Sequence, residues 1–156
     1  MKPDQTHTTL NILLADDDRD DRFFFKKALE ELSIPTNFAT VEDGEQLMKY
    51  LLKNIEHLPD ILFLDLNMPR KTGIECLEEI KLQKNLGQLP VIIYSTSLID
   101  SVADMLYKKG AHYYLRKRDL HELIKTLEDL FALMIKNQFA RPTRKEFILS
   151  EVKHLT

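Results

Sequence analysis

A single cysteine, Cys76, is all the chain offers to thiol chemistry, which excludes an intrachain disulfide and fits a reducing compartment. It sits in "GIECLEEI" among helix-favouring residues, where packing is its expected role. No apolar run approaches the ~20 residues that a membrane-crossing helix needs. The polar N-terminus, "MKPDQTHTT", lacks the apolar core of a signal peptide. A cytoplasmic protein, neither spanning nor seeking a membrane, is expected. Positive charge is not in excess either: the formal net charge is −3, against the basic face usual in nucleic-acid binders. The five histidines (His7, His57, His112, His121 and His154) are scattered without zinc-ligand spacing. What the 156 residues do have is a hydrophobic fraction of 44%, enough for one domain with a full core.

That apolar content is organised as alternation. "LNILLA" (10–15), "DILFLDL" (60–66) and "PVIIYS" (90–95) are near-continuous apolar runs of strand length, as expected of parallel strands covered on both faces. "TNFAT" (36–40) and "HYYLR" (112–116) are more polar and read as strands nearer the sheet edges. Residues 20–32, 44–53, 74–84 and 101–109 carry helical spacing. A fifth helix, 120–136, places Leu120, Leu123, Ile124, Leu127, Leu130, Phe131 and Met134 on one face. Gly110 supplies a stop after the fourth helical stretch. The order βαβαβαβαβα predicts right-handed crossovers and a doubly wound α/β sandwich.

In such sheets ligands meet the carboxyl ends of the strands, so the residues that follow each strand matter most. The first strand runs into "DDDRDD", five aspartates in six residues. Crowding like charges there is costly unless a cation sits among them. The run divides. Asp16 and Asp17, with Asp65 from the third strand, suit a hard divalent cation, Mg²⁺ before others. Asp18, Asp20 and Asp21 fall in the first turn of the following helix, where carboxylates complement the macrodipole. A carboxylate beside Mg²⁺ can attack phosphorus, and Asp65 is the best candidate nucleophile. Ser95, ending the fourth strand, can hydrogen-bond a phosphoryl oxygen, and Lys117, following the fifth, can pair with another.

Taken together, "LLADDD", "DILFLDLNMP…TG", "VIIYSTS" and "GAHYYLRK" resemble the receiver domain of two-component response regulators, over about residues 11–134. Within that family the chain is most similar to stand-alone receivers that partner bacterial phytochromes, with a basic pair, Arg70–Lys71, after "MP". The resemblance implies a flavodoxin-like (βα)5 sandwich with five parallel strands in the order 2-1-3-4-5. It implies an N-terminal extension (1–9), a receiver domain (10–137) and a C-terminal extension (138–156). By the same resemblance, Asp65 accepts a phosphoryl group from the phosphohistidine of a histidine kinase or phosphotransfer protein. Asp17, Asp65 and the backbone carbonyl of Asn67 coordinate Mg²⁺, with Asp16 acting largely through water. Ser95 and Lys117 contact the phosphoryl group. Tyr114 turns inward as Ser95 moves toward the phosphate, and Asn67 and Ser97 tune how quickly the acyl phosphate hydrolyses. The chain is then a signalling switch, with self-phosphorylation and autodephosphorylation as its only chemistry.

The implied output face lies on the fourth helix, fifth strand and fifth helix, with Met105, Lys108, His112, Tyr113, Arg116 and Asp119 exposed for a downstream protein target or a homodimer. One departure stands out. The family usually has proline after the lysine, often with a cis bond, and here Arg118 takes that place; a non-proline cis bond costs ~2.5–4 kcal/mol. In the tail, Thr143 and Glu146 form a capping-box pattern before Phe147, Ile148, Val152 and Leu155, predicting a short amphipathic helix, with a mobile tail as the alternative. With no room for an output domain, the expected output is protein contact. Two other readings are weighed against this one. A Mg²⁺-dependent aspartyl-phosphate phosphohydrolase lacks the usual second acid and substrate cap, and a phosphate-independent adaptor would bind its partner without Mg²⁺ and unaffected by Asp65→Asn.

Overall fold

The computed structural model describes residues 8–149. Five strands alternate with five helices: β1 (Leu10–Ala15), α1 (Arg19–Glu30), β2 (Thr36–Val41), α2 (Gly44–Lys53), β3 (Ile61–Leu64), α3 (Gly73–Leu82), β4 (Val91–Ser95), α4 (Asp100–Lys108), β5 (Tyr113–Arg116) and α5 (Leu120–Ile135). All strand pairs are parallel, in the order β2-β1-β3-β4-β5. The three apolar runs are the three central strands, and every residue of β3 and β4 is buried. β2, at an edge, buries only Val41.

The two-residue period of each strand sorts the core into two layers. Leu13, Ala15, Leu62, Leu64, Val91 and Ile93 face α2, α3 and α4, where Leu47, Leu51, Cys76, Leu77, Ile80 and Leu106 meet them. Ile12, Leu14, Phe63, Ile92 and Tyr94 face α1 and α5, packing on Phe25, Leu29, Leu123, Leu127 and Phe131. Phe25 anchors this second layer, its ring 4.9 Å from Phe63 and 5.5 Å from Tyr94 between centroids. Helix entry is set by local chemistry. Asp18, Asp43 and Asp119 each accept a backbone N–H three residues on, and Thr72 with Glu75 closes a complete capping box.

The chain reverses direction of winding between β1 and its two neighbours, β2 and β3, so a crevice opens at the carboxyl ends of β1 and β3. Register then fixes what lines it. Ala15 pairs with Leu64, and the Asp65 N–H donates to the Ala15 carbonyl at 2.9 Å, so the residues just beyond these strands are neighbours.

The tail departs from the expected helix. After α5, Asn137 adopts φ 57° and turns the chain back along the sheet. The capping pattern yields only a 3₁₀ turn, Arg144–Glu146, with no side-chain cap bond to its backbone. Beyond it Ile148 bridges to Tyr114 in parallel, and the Tyr114 N–H donates to the Phe147 carbonyl at 2.9 Å. The open edge of β5 wins this segment: its unpaired backbone groups and adjoining apolar surface bury Phe147 and Leu149. Val152 and Leu155 lie outside the described residues. On the same face, Lys108 and Asp119 are exposed, while Met105, His112 and Arg116 are half-buried. Tyr113, a candidate for that face whose alternation with Tyr114 also suits packing of an edge strand, is buried: it faces the α5 layer and its ring meets Phe139 edge-on at 5.9 Å.

Candidate functional site

Four strand ends deliver the site. Asp16 is fully buried, and both of its oxygens are engaged: Oδ1 accepts the Asp18 N–H at 2.9 Å and Oδ2 accepts Lys117 Nζ at 2.8 Å. Asp17, beside it, is exposed. Asp65 is 6% exposed, and its Oδ1 takes only a long contact, 3.4 Å, from the Asn67 N–H. Asp16, Asp17 and Asp65 each offer a carboxylate oxygen within 4.8 Å of the others.

Lys117 reaches this cluster although no peptide bond among the described residues is cis, so the Lys117–Arg118 bond is trans. Its backbone N–H donates to the Ser95 carbonyl at 2.7 Å, which fixes the start of the loop. Its ammonium then bridges Asp16 and Asp21, 2.8 Å from each, and lies 3.9 Å from Asp65 Oδ2. Asp21, assigned from sequence to helix entry alone, is thus a second anchor for the lysine. The signal for it was the excess of acids over what one helix start can use.

The electrostatics are unbalanced toward negative charge: one ammonium faces the carboxylates of Asp16, Asp17, Asp21 and Asp65. Burial pushes the Asp65 carboxyl up to about 6, with Lys117 opposing and the charges of Asp16 and Asp17 adding to the rise. Burial likewise raises Asp16 above the usual carboxylate range, against the pull of Lys117. Lys117 is held above the ordinary lysine value, because its bonds to Asp16 and Asp21 outweigh its own burial. An all-oxygen donor set with this charge deficit fits a hard divalent cation.

Ser95 completes the arrangement. Its Oγ is the one buried side-chain polar atom among the described residues with no hydrogen-bond partner. A buried, unsatisfied hydroxyl at a strand end is costly, by ~1–3 kcal/mol, and is free to serve an incoming oxygen. Asn67 and Ser97 lie exposed on the two loops beside the cleft. Tyr114 is 1% exposed and donates its hydroxyl to the Ser97 carbonyl, so it is already inward in this structure. The loop after Asp65 is packed hard against it: a Cβ on Gly73 would lie 2.2 Å from the Asp65 carbonyl oxygen.

The model of the response regulator receiver domain matches residues 12–128, and the chain belongs to that family. The response regulator Rcp1 of Synechocystis sp. is 30% identical over 132 residues, 81% of this chain and 90% of that protein. Among solved structures, the phosphorylated cyanobacterial phytochrome response regulator RcpA superposes with a TM-score of 0.74 at 29% identity, covering 83% of this chain and 96% of its own. The Mn²⁺-bound form of Rcp1 gives 0.71 at 27% identity, covering 86% and 99%. As a receiver domain the chain is a phosphoacceptor signalling switch, and a histidine kinase is its partner. No helix among the described residues is long and apolar enough to cross a membrane.

Proposed function

We propose that Asp65 is the phosphoacceptor and that the chain relays a phytochrome-type signal by phosphorylation-dependent protein contact. The carrying observation is the meeting of Asp65, Lys117 and an unpartnered Ser95 hydroxyl at one sheet edge. An Asp65 oxygen attacks the phosphorus of a phosphohistidine; the new O–P bond forms as the N–P bond breaks, and the imidazole nitrogen leaves with the electron pair. Lys117 pairs with one phosphoryl oxygen and Ser95 Oγ donates to another, both from positions set before the donor arrives. Asp17, Asp65 and the Asn67 carbonyl would hold Mg²⁺, with Asp16 acting through water because its oxygens are already engaged. The bound cation supplies charge neutralisation for attacker and phosphoryl oxygens. Asn67 and Ser97, at the rim, control access of the water that later hydrolyses the acyl phosphate.

The remaining assignments follow from this role. Output passes through the α4–β5–α5 face to a protein target or a second copy, without nucleic acid, and the protein works in the cytoplasm, beside its kinase. The domain spans 10–137, with extensions on either side. A gel that retards phosphoproteins tests the chemistry, using phosphoramidate as donor with Mg²⁺. One retarded species is expected for the wild type and none for Asp65→Asn or in chelator. Equal retardation of both proteins would sink the assignment.

A further inference from the structure

The tail does more than cover an edge. Phe147 is fully buried, and its ring meets Tyr107 edge-on at 5.3 Å and Tyr114 edge-on at 6.4 Å. Its carbonyl holds the Tyr114 backbone N–H. The segment before it is clamped to α4: Arg144 pairs with Asp104 at 2.6 Å, the Tyr107 hydroxyl donates to the Pro142 carbonyl at 2.9 Å, and the Arg141 guanidinium stacks 3.9 Å over the Tyr107 ring. This docking is thus specified by charge, hydrogen bonding and aromatic packing at once.

We propose that Phe147 is a positioning residue for phosphoryl transfer, acting through Tyr114. Side chains occupy discrete staggered rotamers, so an inward Tyr114 leaves by a rotamer change toward the outer side of β5. Phe147 fills that side. With the ring kept inside, the Tyr114 hydroxyl stays on the Ser97 carbonyl, two residues beyond Ser95. The loop is tethered, and the Ser95 hydroxyl remains uncommitted for a phosphoryl oxygen. Tail docking and phosphate therefore favour the same arrangement of Tyr114, and each strengthens the other by linkage. Phosphorylation of this chain then proceeds without the large tyrosine movement expected from its sequence. The inference rests on Asp65 being the acceptor.

The test uses the full chain carrying fluorotyrosine, as wild type, Phe147→Ala, Phe147→Leu, Tyr114→Ala and the Phe147→Ala/Tyr114→Ala double variant. Tyr114 is assigned by the ¹⁹F resonance lost in Tyr114→Ala, and phosphorylation by phosphoramidate in saturating Mg²⁺ is timed in parallel. In Phe147→Ala the Tyr114 resonance should move to a solvent-exposed position. The initial rate should fall about 3- to 10-fold, the weight of one positioning hydrogen bond, and Phe147→Leu should recover most of it. In the Tyr114→Ala background, Phe147→Ala should change the rate no further. An unmoved resonance, an unchanged rate, or an undiminished effect of Phe147→Ala without Tyr114 would each overturn the proposal. If the wild type itself took no phosphate, the acceptor reading would fall and the positioning role with it. If the wild type reacted and Phe147→Ala kept pace, only the positioning role would fall.

Discussion

Replacing Lys117 with methionine keeps much of the stem and removes the ammonium that, among the described residues, faces the acidic cleft. Its side chain is 11% exposed and its Nζ lies 2.8 Å from carboxylates of both Asp16 and Asp21. Removing one partner of a buried pair costs ~3–5 kcal/mol, because the remaining charge is left unpaired. The Asp21 side chain is 35% exposed and can turn to water, which argues for the lower end, ~3 kcal/mol. A divalent cation is the natural substitute for the lost charge. Lysine and cation both draw on Asp65, 3.9 Å from Nζ, and on the charge of Asp16, so each weakens the other, and a coupling of ~1–3 kcal/mol is typical of such linked sites. Urea unfolding followed by circular dichroism, in chelator and in saturating Mg²⁺, separates the two terms. Lys117→Met should be ~3 kcal/mol less stable than wild type in chelator, and Mg²⁺ should close ~1–2 kcal/mol of that gap. A gap of the same size in both conditions would refute the idea that Lys117 and the cation compete for the charge of Asp65 and Asp16.

Other expectations are as direct. Ser95→Ala removes an unpartnered buried hydroxyl, so stability should hold or rise by ~1 kcal/mol while phosphate uptake slows at least ~10-fold; a destabilised variant would show that Ser95 has a partner in solution. Gly73→Ala sets a Cβ against the Asp65 backbone and should cost ~1–3 kcal/mol in urea unfolding, with slower phosphorylation, since Asp65 must shift to make room. His112, which accepts the Val91 N–H at 3.3 Å, is pushed by burial and by the nearby Lys81 and Arg141 from 6.5 down to about 4. The unfolded chain takes up this proton near pH 6.5 and the folded one does not until about pH 4, so its contribution is whole above 6.5 and lost as pH falls between those values. His112→Gln should therefore flatten the acid limb of the stability curve by ~1–2 kcal/mol, the ring being partly solvated.

The central strands and the acidic strand ends were legible because burial on both faces leaves unbroken apolar runs, and the register of β1 on β3 then brings Asp16, Asp17 and Asp65 together. Strand limits were less so. The stretch 60–66 reads as one strand-length run, yet the chain leaves the strand after Leu64, and Gly73 then tucks the start of α3 beneath Asp65 and Leu66. Asp21 was hidden because a carboxylate in the first turn of a helix already has a sufficient local reason to be there. Thr143 and Glu146 predict a helix in the tail, and their pattern produces one turn. What decides its path is the free edge of β5 and the slot between Tyr107 and Tyr114, and neither is visible in the tail's own residues. The inward Tyr114 follows from that contact.

The assignment of Asp65 is tested most directly by intact mass after incubation with phosphoramidate and Mg²⁺, followed by borohydride reduction, which converts an aspartyl phosphate to homoserine with release of phosphate, and peptide mapping. One phosphoryl group on the intact wild type, with homoserine in the peptide containing position 65 after reduction, both absent from Asp65→Asn and lost with chelator, is the predicted result. A phosphoryl group of equal yield on Asp65→Asn, or one mapped to Asp16 or Asp17, would contradict it.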